Sequence, residues 1–491
     1  MSPFLQPAAL GALFVVASMT GACADDPKAD GSGGQTSSAG APSAGAANPG
    51  TGGAGPSTAG APATGGTVGT AGSATSAGAA PVAGSGGSGT GTAGAGSVAG
   101  ASGSGTGTAG GGSGGAGSMK WVGTWTASPY ATADNGAPPA ALANGVARQV
   151  THASLGGSQI RVQFSNKLGK SALTIKAAHV ALCKAAPAVD GSIDTATDTA
   201  LAFSGMPGVS IPAGMEVWSD AVNFTLPALG NVSITTAFGS VPAGTELTSH
   251  NGSRTDSYVV INSTDVSAAN MTSAPHNQHW WVISGMDVMA PADAKGIVAI
   301  GDSITDGRGV DPNKNNRWTD DLAARLQANA ATKNVSLMNQ GIGATNLVGT
   351  TNDAAEGRFA RDVLGQSGVK YAIILDGVND ILAGAAAANM KTAYNNMITA
   401  AHAKQVLVYG ATITPFGGYS TNQTFENVRK EVNTFIKSGA FDGVIDFDAA
   451  VTDNGTFPAL LASTNTADKL HPGPAGYQMM ADKVDLTLFT K

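Results

Sequence analysis

The chain has 491 residues, with 26 Lys+Arg against 33 Asp+Glu, a formal net charge of −7 and 69 glycines. The mild acidity excludes the basic stripe expected of a nucleic-acid binder, and two cysteines, Cys23 and Cys183, exclude a disulfide framework and any CxxC-type metal site. Composition is too uneven for a division by length alone: residues 31–118 hold 32 of the glycines and carry no charge, no aromatic and no Leu, Ile or Met.

The chain opens on an apolar run at 8–17, too short for a membrane span, which needs ~20 residues. It reads as the core of a secretory signal peptide over 1–23, of lipoprotein type. Two cleavage patterns overlap there. Thr20-Gly21-Ala22-Cys23 resembles a bacterial lipobox, which would leave Cys23 lipidated at the new N-terminus. Ala22-Cys23-Ala24 also fits an ordinary small-x-small site, with Cys23 a bystander. The expectation is a secreted or cell-surface lipoprotein, anchored by lipid to a bacterial (outer) membrane. Residues 24–118 cannot bury enough apolar surface to offset ordering entropy, and are predicted to be a disordered tether.

The rest is ample chain for one or two packed cores. Residues 119–290 show strand signals and little helix. At 158–164 apolar Ile160, Val162 and Phe164 alternate with polar Arg161 and Gln163. Further short runs fall at 173–175, 217–218, 222–226, 232–236, 258–261 and 280–283, punctuated by Gly, Pro and Asn. The pattern predicts a β-sandwich domain of jelly-roll type.

Residues 291–491 switch to strand–helix alternation. Strands are predicted at 297–300, 335–338, 371–375, 405–409 and 444–447. Helices are predicted at 318–329, 387–403, 425–437 and 474–486, the last with Pro474 in its first turn. Such alternation means an α/β domain with a parallel sheet covered by helices. Active groups then belong on loops at the carboxyl ends of the strands.

Polar residues in glycine-containing turns follow those strands: Gly301-Asp302-Ser303-Ile304-Thr305, Asn339-Gln340-Gly341-Ile342-Gly343-Ala344 and Gly377-Val378-Asn379-Asp380. Asp468-Lys469-Leu470-His471-Pro472 precedes the last helix. These are the parts of an acyl-transfer site. A serine hydroxyl needs an imidazole to take its proton: Ser303 can be the nucleophile, His471 the base, and Asp468 the carboxylate holding the other ring nitrogen. An oxyanion needs donors, and the Ser303 N–H, an N–H in the Gly343–Ala344 turn and the Asn379 amide supply three.

The four blocks, in this order, resemble the SGNH (GDSL) hydrolase family over about residues 295–490. The resemblance implies a flavodoxin-like three-layer α/β/α fold and ester hydrolysis through an acyl-serine, with no cofactor. It places oxyanion donors at Ser303, the position of Ala344, and Asn379. The family usually has glycine where this chain has Ala344; Gly343 is the alternative donor. Upstream, Trp121-Val122-Gly123-Thr124-Trp125-Thr126-Ala127-Ser128-Pro129 and Val150-Thr151-His152-Ala153-Ser154 resemble a bacterial subgroup with a β-domain before the catalytic one. Some of its members are described as xylan-acetyl or related carbohydrate esterases, which implies a short acyl ester, acetyl on polysaccharide, as substrate. Two rival readings stand beside this: a glycan-binding surface lipoprotein with a vestigial hydrolase domain, and a lipase or thioesterase of the same family.

The remaining histidines, His152, His179, His250, His276, His279 and His402, lack partners at ligand spacing apart from His276–His279, and no metal site is expected. Trp280-Trp281 reads as packing, Asp306 and Arg308 as loop-fixing residues, and Cys183 as a buried small hydrophobe.

Overall fold

The computed structural model describes residues 118–131, 137–138, 140–184, 189–242, 246–351 and 353–491. The predicted signal peptide with Cys23 and the predicted tether, apart from Ser118, lie outside the described residues.

Alternation of apolar and polar side chains organises the upstream region. Gly157–Ser165 turns Ile160, Val162 and Phe164 fully inward and leaves Arg161 and Gln163 partly exposed. It pairs antiparallel with Ile283–Pro291, Glu216–Trp218 and Val222–Leu226, and Met119–Thr126 completes a five-stranded sheet. A seven-stranded antiparallel sheet runs His276–Asn277, Ser257–Val260, Val146–His152, Asn231–Phe238, Leu173–Leu182, Thr199–Leu201, with Val209–Ile211 also on Leu173–Leu182. One apolar core joins Val122, Ile160 and Phe164 of the first sheet to Leu173, Ile175 and Ile234 of the second. Tyr130–Ala131, Thr248–Asn251 and His279–Trp281 form a third, small sheet. The run predicted as one strand over 280–283 is two. Val282, at φ +70°, ends His279–Trp281 and begins Ile283–Pro291. Left-handed backbone is costly for a β-branched residue, and here it moves the chain from one sheet to another.

Downstream, short apolar runs alternate with helices, and a parallel sheet results. Its strands are β1 (Lys295–Gly301), β2 (Val335–Gly341), β3 (Val369–Leu375), β4 (Leu407–Ala411) and β5 (Gly443–Ile445). They pair in the order β2-β1-β3-β4-β5, that of a doubly wound sheet. The helices are α1 (Ser303–Asp306), α2 (Trp318–Ala328), α3 (Ala355–Asp362), α4 (Val378–Leu382), α5 (Ala387–His402), α6 (Gln423–Ile436), α7 (Phe447–Val451) and α8 (Pro474–Lys483). Short α1, α3, α4 and α7 carry no predicted counterpart. The strand predicted over 444–447 stops at Ile445, because Asp446 caps α7 by accepting from the Ala449 N–H at 3.3 Å.

The upstream strand Met119–Thr126 packs against β2. Thr126 Oγ1 donates to the Asn339 carbonyl at 3.1 Å, and the Gly123 N–H donates to the Ser367 carbonyl at 2.9 Å. Beside this contact α3 delivers Arg358, whose side chain is fully buried. Its guanidinium donates to the carbonyls of Gly301 (2.9 Å) and Gln340 (2.6 Å), at the carboxyl ends of β1 and β2. It also donates to Ser128 Oγ (3.1 Å), the Asp353 carbonyl (3.2 Å) and Asp362 (3.1 Å).

A buried cation that loses its partners, or partners that lose their cation, cost far more than an exposed pair. Arg358→Met is therefore expected to lower the unfolding free energy by roughly 3–5 kcal/mol. Urea denaturation checks this, and a loss below about 1 kcal/mol would show that the network contributes little.

Candidate active site

Two glycines let the elements of the site meet. At Gly301, the end of β1, an added Cβ would sit 2.0 Å from the Leu375 carbonyl oxygen. At Gly341, the end of β2, it would sit 2.2 Å from the Asp306 nitrogen. Neither position has room for a side chain. The one-turn helix α1 therefore lies directly on the end of β2. Asp302 starts it, accepting from the Ile304 N–H at 2.9 Å. Ser303 is its first residue and is 8% exposed.

The structure brings Ser303, His471 and Asp468 together. Ser303 Oγ is 2.8 Å from His471 Nε2, and His471 Nδ1 is 2.7 Å from Asp468 Oδ2. A carboxylate only accepts, so Nδ1 carries the hydrogen and Nε2 is left to accept from the serine hydroxyl. Asp468 Oδ1 accepts from Thr466 Oγ1 (2.7 Å) and from the N–H groups of Leu470 and His471 (3.0 Å each). Burial works against ionisation of Asp468, but the His471 and Leu470 donors outweigh it and hold its carboxyl well below the usual range. The Thr466 N–H donates to the His471 carbonyl at 3.0 Å, which closes the loop around the imidazole.

The oxyanion candidates lie on two joined loops. Asn379 stands in the first turn of α4, after Gly377 at φ +116°. Its Nδ2 donates to the Thr345 carbonyl at 2.8 Å, which leaves the amide's second hydrogen. Ala344 has φ +62°. Its position in the turn is thus a left-handed one that favours glycine, and alanine occupies it under strain. Gly343 has no positive φ. A Cβ there would meet only Asp306 Oδ2 at 3.8 Å and Ser303 Cβ at 3.9 Å, so open space adjoins the serine. The geometry keeps both Gly343 and Ala344 as candidate donors.

Four aspartates surround α1 and divide into two kinds. Burial pushes Asp302 up to about 7, with Asp380 adding to the rise and the Ile304 N–H and Arg358 opposing it. Burial, Asp302 and Asp380 push Asp376 well above the ordinary carboxylate value. Burial also raises Asp380, against bonds from the Leu347 (2.7 Å) and Val348 (3.0 Å) N–H groups. Asp306 goes the other way. Burial opposes its ionisation, but Arg254, His250 and Arg317 together hold it below the usual range.

That last cluster had no sequence signal. His250 and Arg254 are 56 and 52 residues from Asp306 along the chain, and reach it from the upstream sheets. Sequence reading took Asp306 as loop-fixing and gave His250 no partner. Arg308 Nε lies 3.8 Å from Asp468 Oδ2. Trp281 is fully buried, and Trp280 packs edge-on to Trp125 with centroids 5.0 Å apart. His276 packs tilted against Tyr258 and His279 stacks on Trp281, so the pair does not act as a unit. The Cys183 thiol, 3.3 Å from Ser233 Oγ, is pushed up to about 11, chiefly by burial.

Residues 299–479 match the model of the GDSL-like lipase/acylhydrolase family. Among solved structures, the chain resembles a lipolytic protein of the G-D-S-L family from Desulfitobacterium hafniense, at 22% identity over 38% of this chain and 97% of that one, TM-score 0.32. A member of that family from Veillonella parvula matches at 22% identity over 40% of this chain and 100% of that one, TM-score 0.31. A mutant of an acetyl-xylooligosaccharide esterase from Geobacillus matches at 20% identity over 38% and 91%, TM-score 0.30. A search of curated proteins finds no match.

Two outcomes follow from the strain at Ala344 and the buried charge at Asp302. Ala344→Gly should leave stability unchanged or raise it by up to ~1 kcal/mol, since relief of strain is partly offset by unfolded-chain entropy. Ala344→Val should lower it by about 1–3 kcal/mol, because a β-branched residue tolerates positive φ least. Equal thermal midpoints for the two variants would contradict the strain. Asp302 keeps its proton in the fold up to about 7 but loses it near 3.8 when unfolded, so rising pH across that window costs stability. Asp302→Asn retains the capping oxygen. It should match wild type in thermal midpoint near the low end of that window and exceed it above the high end; the same difference at both pH values would exclude a buried, proton-holding Asp302.

Proposed function

We propose that this carboxylic ester hydrolase, whose residues 299–479 match the GDSL-like lipase/acylhydrolase family, is a serine esterase acting on short acyl esters, acetyl above all, on polysaccharide. The observation that carries the reading is the unbroken chain from Ser303 Oγ through His471 to Asp468, with links of 2.8 and 2.7 Å.

Ser303 Oγ attacks the ester carbonyl while its proton passes to His471 Nε2. Asp468 holds Nδ1–H and balances the imidazolium that forms. The tetrahedral oxyanion is met by the Ser303 N–H, by the Ala344 N–H with Gly343 as alternative, and by the second hydrogen of the Asn379 amide. His471 then protonates the leaving alcohol. Water, activated by the same imidazole, attacks the acyl-serine and frees the acid. The nearly enclosed serine supports a short acyl group.

The two antiparallel sheets upstream are read as a jelly-roll-like β-sandwich at 119–290, and 291–491 as the flavodoxin-like catalytic domain. On the same reading the protein is exported through the 1–23 signal and tethered to a bacterial membrane by lipid on Cys23. The long uncharged stretch after that cysteine supports a spacer role.

With p-nitrophenyl acetate, Ser303→Ala should lower kcat by ~10³-fold or more and Asn379→Ala by ~10²-fold. Rates across acyl lengths should peak at acetyl. Wild-type turnover by the Ser303→Ala protein would overturn the nucleophile, and a peak at long acyl chains would replace the substrate class with lipids.

A further inference from the structure

We propose that His250 and Arg254, from the upstream β region, are positioning residues of the active site: they clamp Asp306, the last residue of α1, and thereby fix Ser303, the first. The inference rests on Ser303 being the nucleophile.

A helix of four residues is not self-supporting. Its internal bonds, Asp306 N–H to the Asp302 carbonyl (2.9 Å) and Gly307 N–H to the Ser303 carbonyl (3.0 Å), are too few to offset nucleation. Its orientation must come from outside. Asn339 Nδ2 donates to the Thr305 carbonyl at 2.6 Å, and Asp306 receives three further bonds. His250 Nε2 lies 2.9 Å from Oδ1, Arg254 Nη2 donates to Oδ2 at 2.9 Å, and Arg317 Nε donates to the carbonyl at 2.9 Å.

His250 is itself held at both ends. Its Nδ1 lies 3.0 Å from the Ser128 carbonyl, which can only accept. Its Nε2 faces a carboxylate held in the ionised form by Arg254, His250 and Arg317 against burial. The imidazole forms a strut between the chain at Ser128 and the end of α1. Ser128 Oγ in turn lies within hydrogen-bonding distance of Gln340 and Asp362, within the Arg358 network.

Arg254 occupies a strained position. Its φ is +57°, two residues after Gly252 at φ +76°. The Asn313 N–H fixes the Arg254 carbonyl at 2.8 Å. Strain of this kind persists where the surroundings over-determine it. The guanidinium that it aims ends at Asp306 Oδ2. That oxygen and Ser303 Cβ border the same open space above Gly343, at 3.8 and 3.9 Å from the site of a Cβ there. The clamp thus sets both a wall of the cleft and the helix bearing the nucleophile.

The test uses the full chain and p-nitrophenyl acetate, with kcat expressed per serine titrated by a fluorophosphonate, beside thermal midpoints. Arg254→Ala and Asp306→Asn should each lower kcat per titrated serine by about 10- to 100-fold, the scale of an ångström-level misplacement, with KM changed by less than about twofold. Arg254→Lys should recover part of the loss, since an ammonium can still pair with Asp306. If Arg254→Ala does not fold, His250→Gln, which can keep only one of the two bonds, should show the same kcat-selective loss. A merely structural role predicts lower thermal midpoints with kcat per titrated serine within about twofold of wild type, and that result in the folded variants would overturn the inference. An inactive Ser303→Ala protein beside a fully active Arg254→Ala protein would remove this inference alone; an active Ser303→Ala protein would remove the esterase reading as well.

Discussion

Parallel strands diverge where their ladder ends, and their last carbonyls need donors from elsewhere. In this protein the Arg358 guanidinium supplies them. It bonds Gly301 and Gln340 at the ends of β1 and β2 and is fully enclosed. A guanidinium is planar and offers its donors in a fixed fork, so it braces two strand ends that the parallel ladder pairs at Gly301 and Gly341. On those braced ends rest α1, which lies over Gly341, and the turn through Gly343 and Ala344. Asp362, four residues on in α3, supplies the charge that makes an enclosed cation tolerable. Ser128, from the upstream region, accepts from the same cation. The two halves of the fold are therefore joined at the group that braces the catalytic rim.

Carboxylates around this rim differ in state because they differ in donors. Asp468 and Asp306 each receive three or more hydrogen bonds or cationic neighbours, and ionisation prevails over burial. Asp302 and Asp376 receive one backbone N–H apiece and share Arg358 at a distance. For them burial and mutual repulsion prevail. One residue type in one neighbourhood is thus pushed in two opposite directions. Asp302 shows the cost of serving a local need: the cap that starts α1 also places a carboxyl where its charged form is disfavoured.

The parts legible in sequence were those fixed by neighbours in the chain. Apolar runs located β1, β2 and β3, and alternation located Gly157–Ser165. The Asp468–His471 spacing placed both residues on one loop, where three residues suffice to close a hydrogen bond. The parts that were not legible depend on long-range contact. Helix α3, Ala-Glu-Gly-Arg-Phe-Ala-Arg-Asp, has charges at positions that a surface helix would expose, yet Arg358 and Asp362 are buried as a pair. Phe447 extended an apolar run and read as strand, whereas Asp446 starts a helix there. Val282 breaks a strand at a conformation its side chain disfavours, which no local preference announces. His250 reaches Asp306 from Thr248–Asn251, a strand that pairs antiparallel with the distant Tyr130–Ala131.

Backbone strain links these observations. Arg254, Ala344 and Lys469 are non-glycine residues at φ +57°, +62° and +60°, each disfavoured by about 1–3 kcal/mol. They lie on three loops that adjoin the site. Each is held by tertiary or loop bonds: Arg254 by Asp306 and Asn313, the Ala344 turn by Asn379 through Thr345, and Lys469 by the Thr466 carbonyl at 3.0 Å. Local sequence preference would release all three. Packing and hydrogen bonding from both halves of the chain retain them. The disposition of the rim is therefore a property of the whole folded unit rather than of the loops that carry the motifs, and the upstream sheets contribute to it as directly as the parallel sheet does.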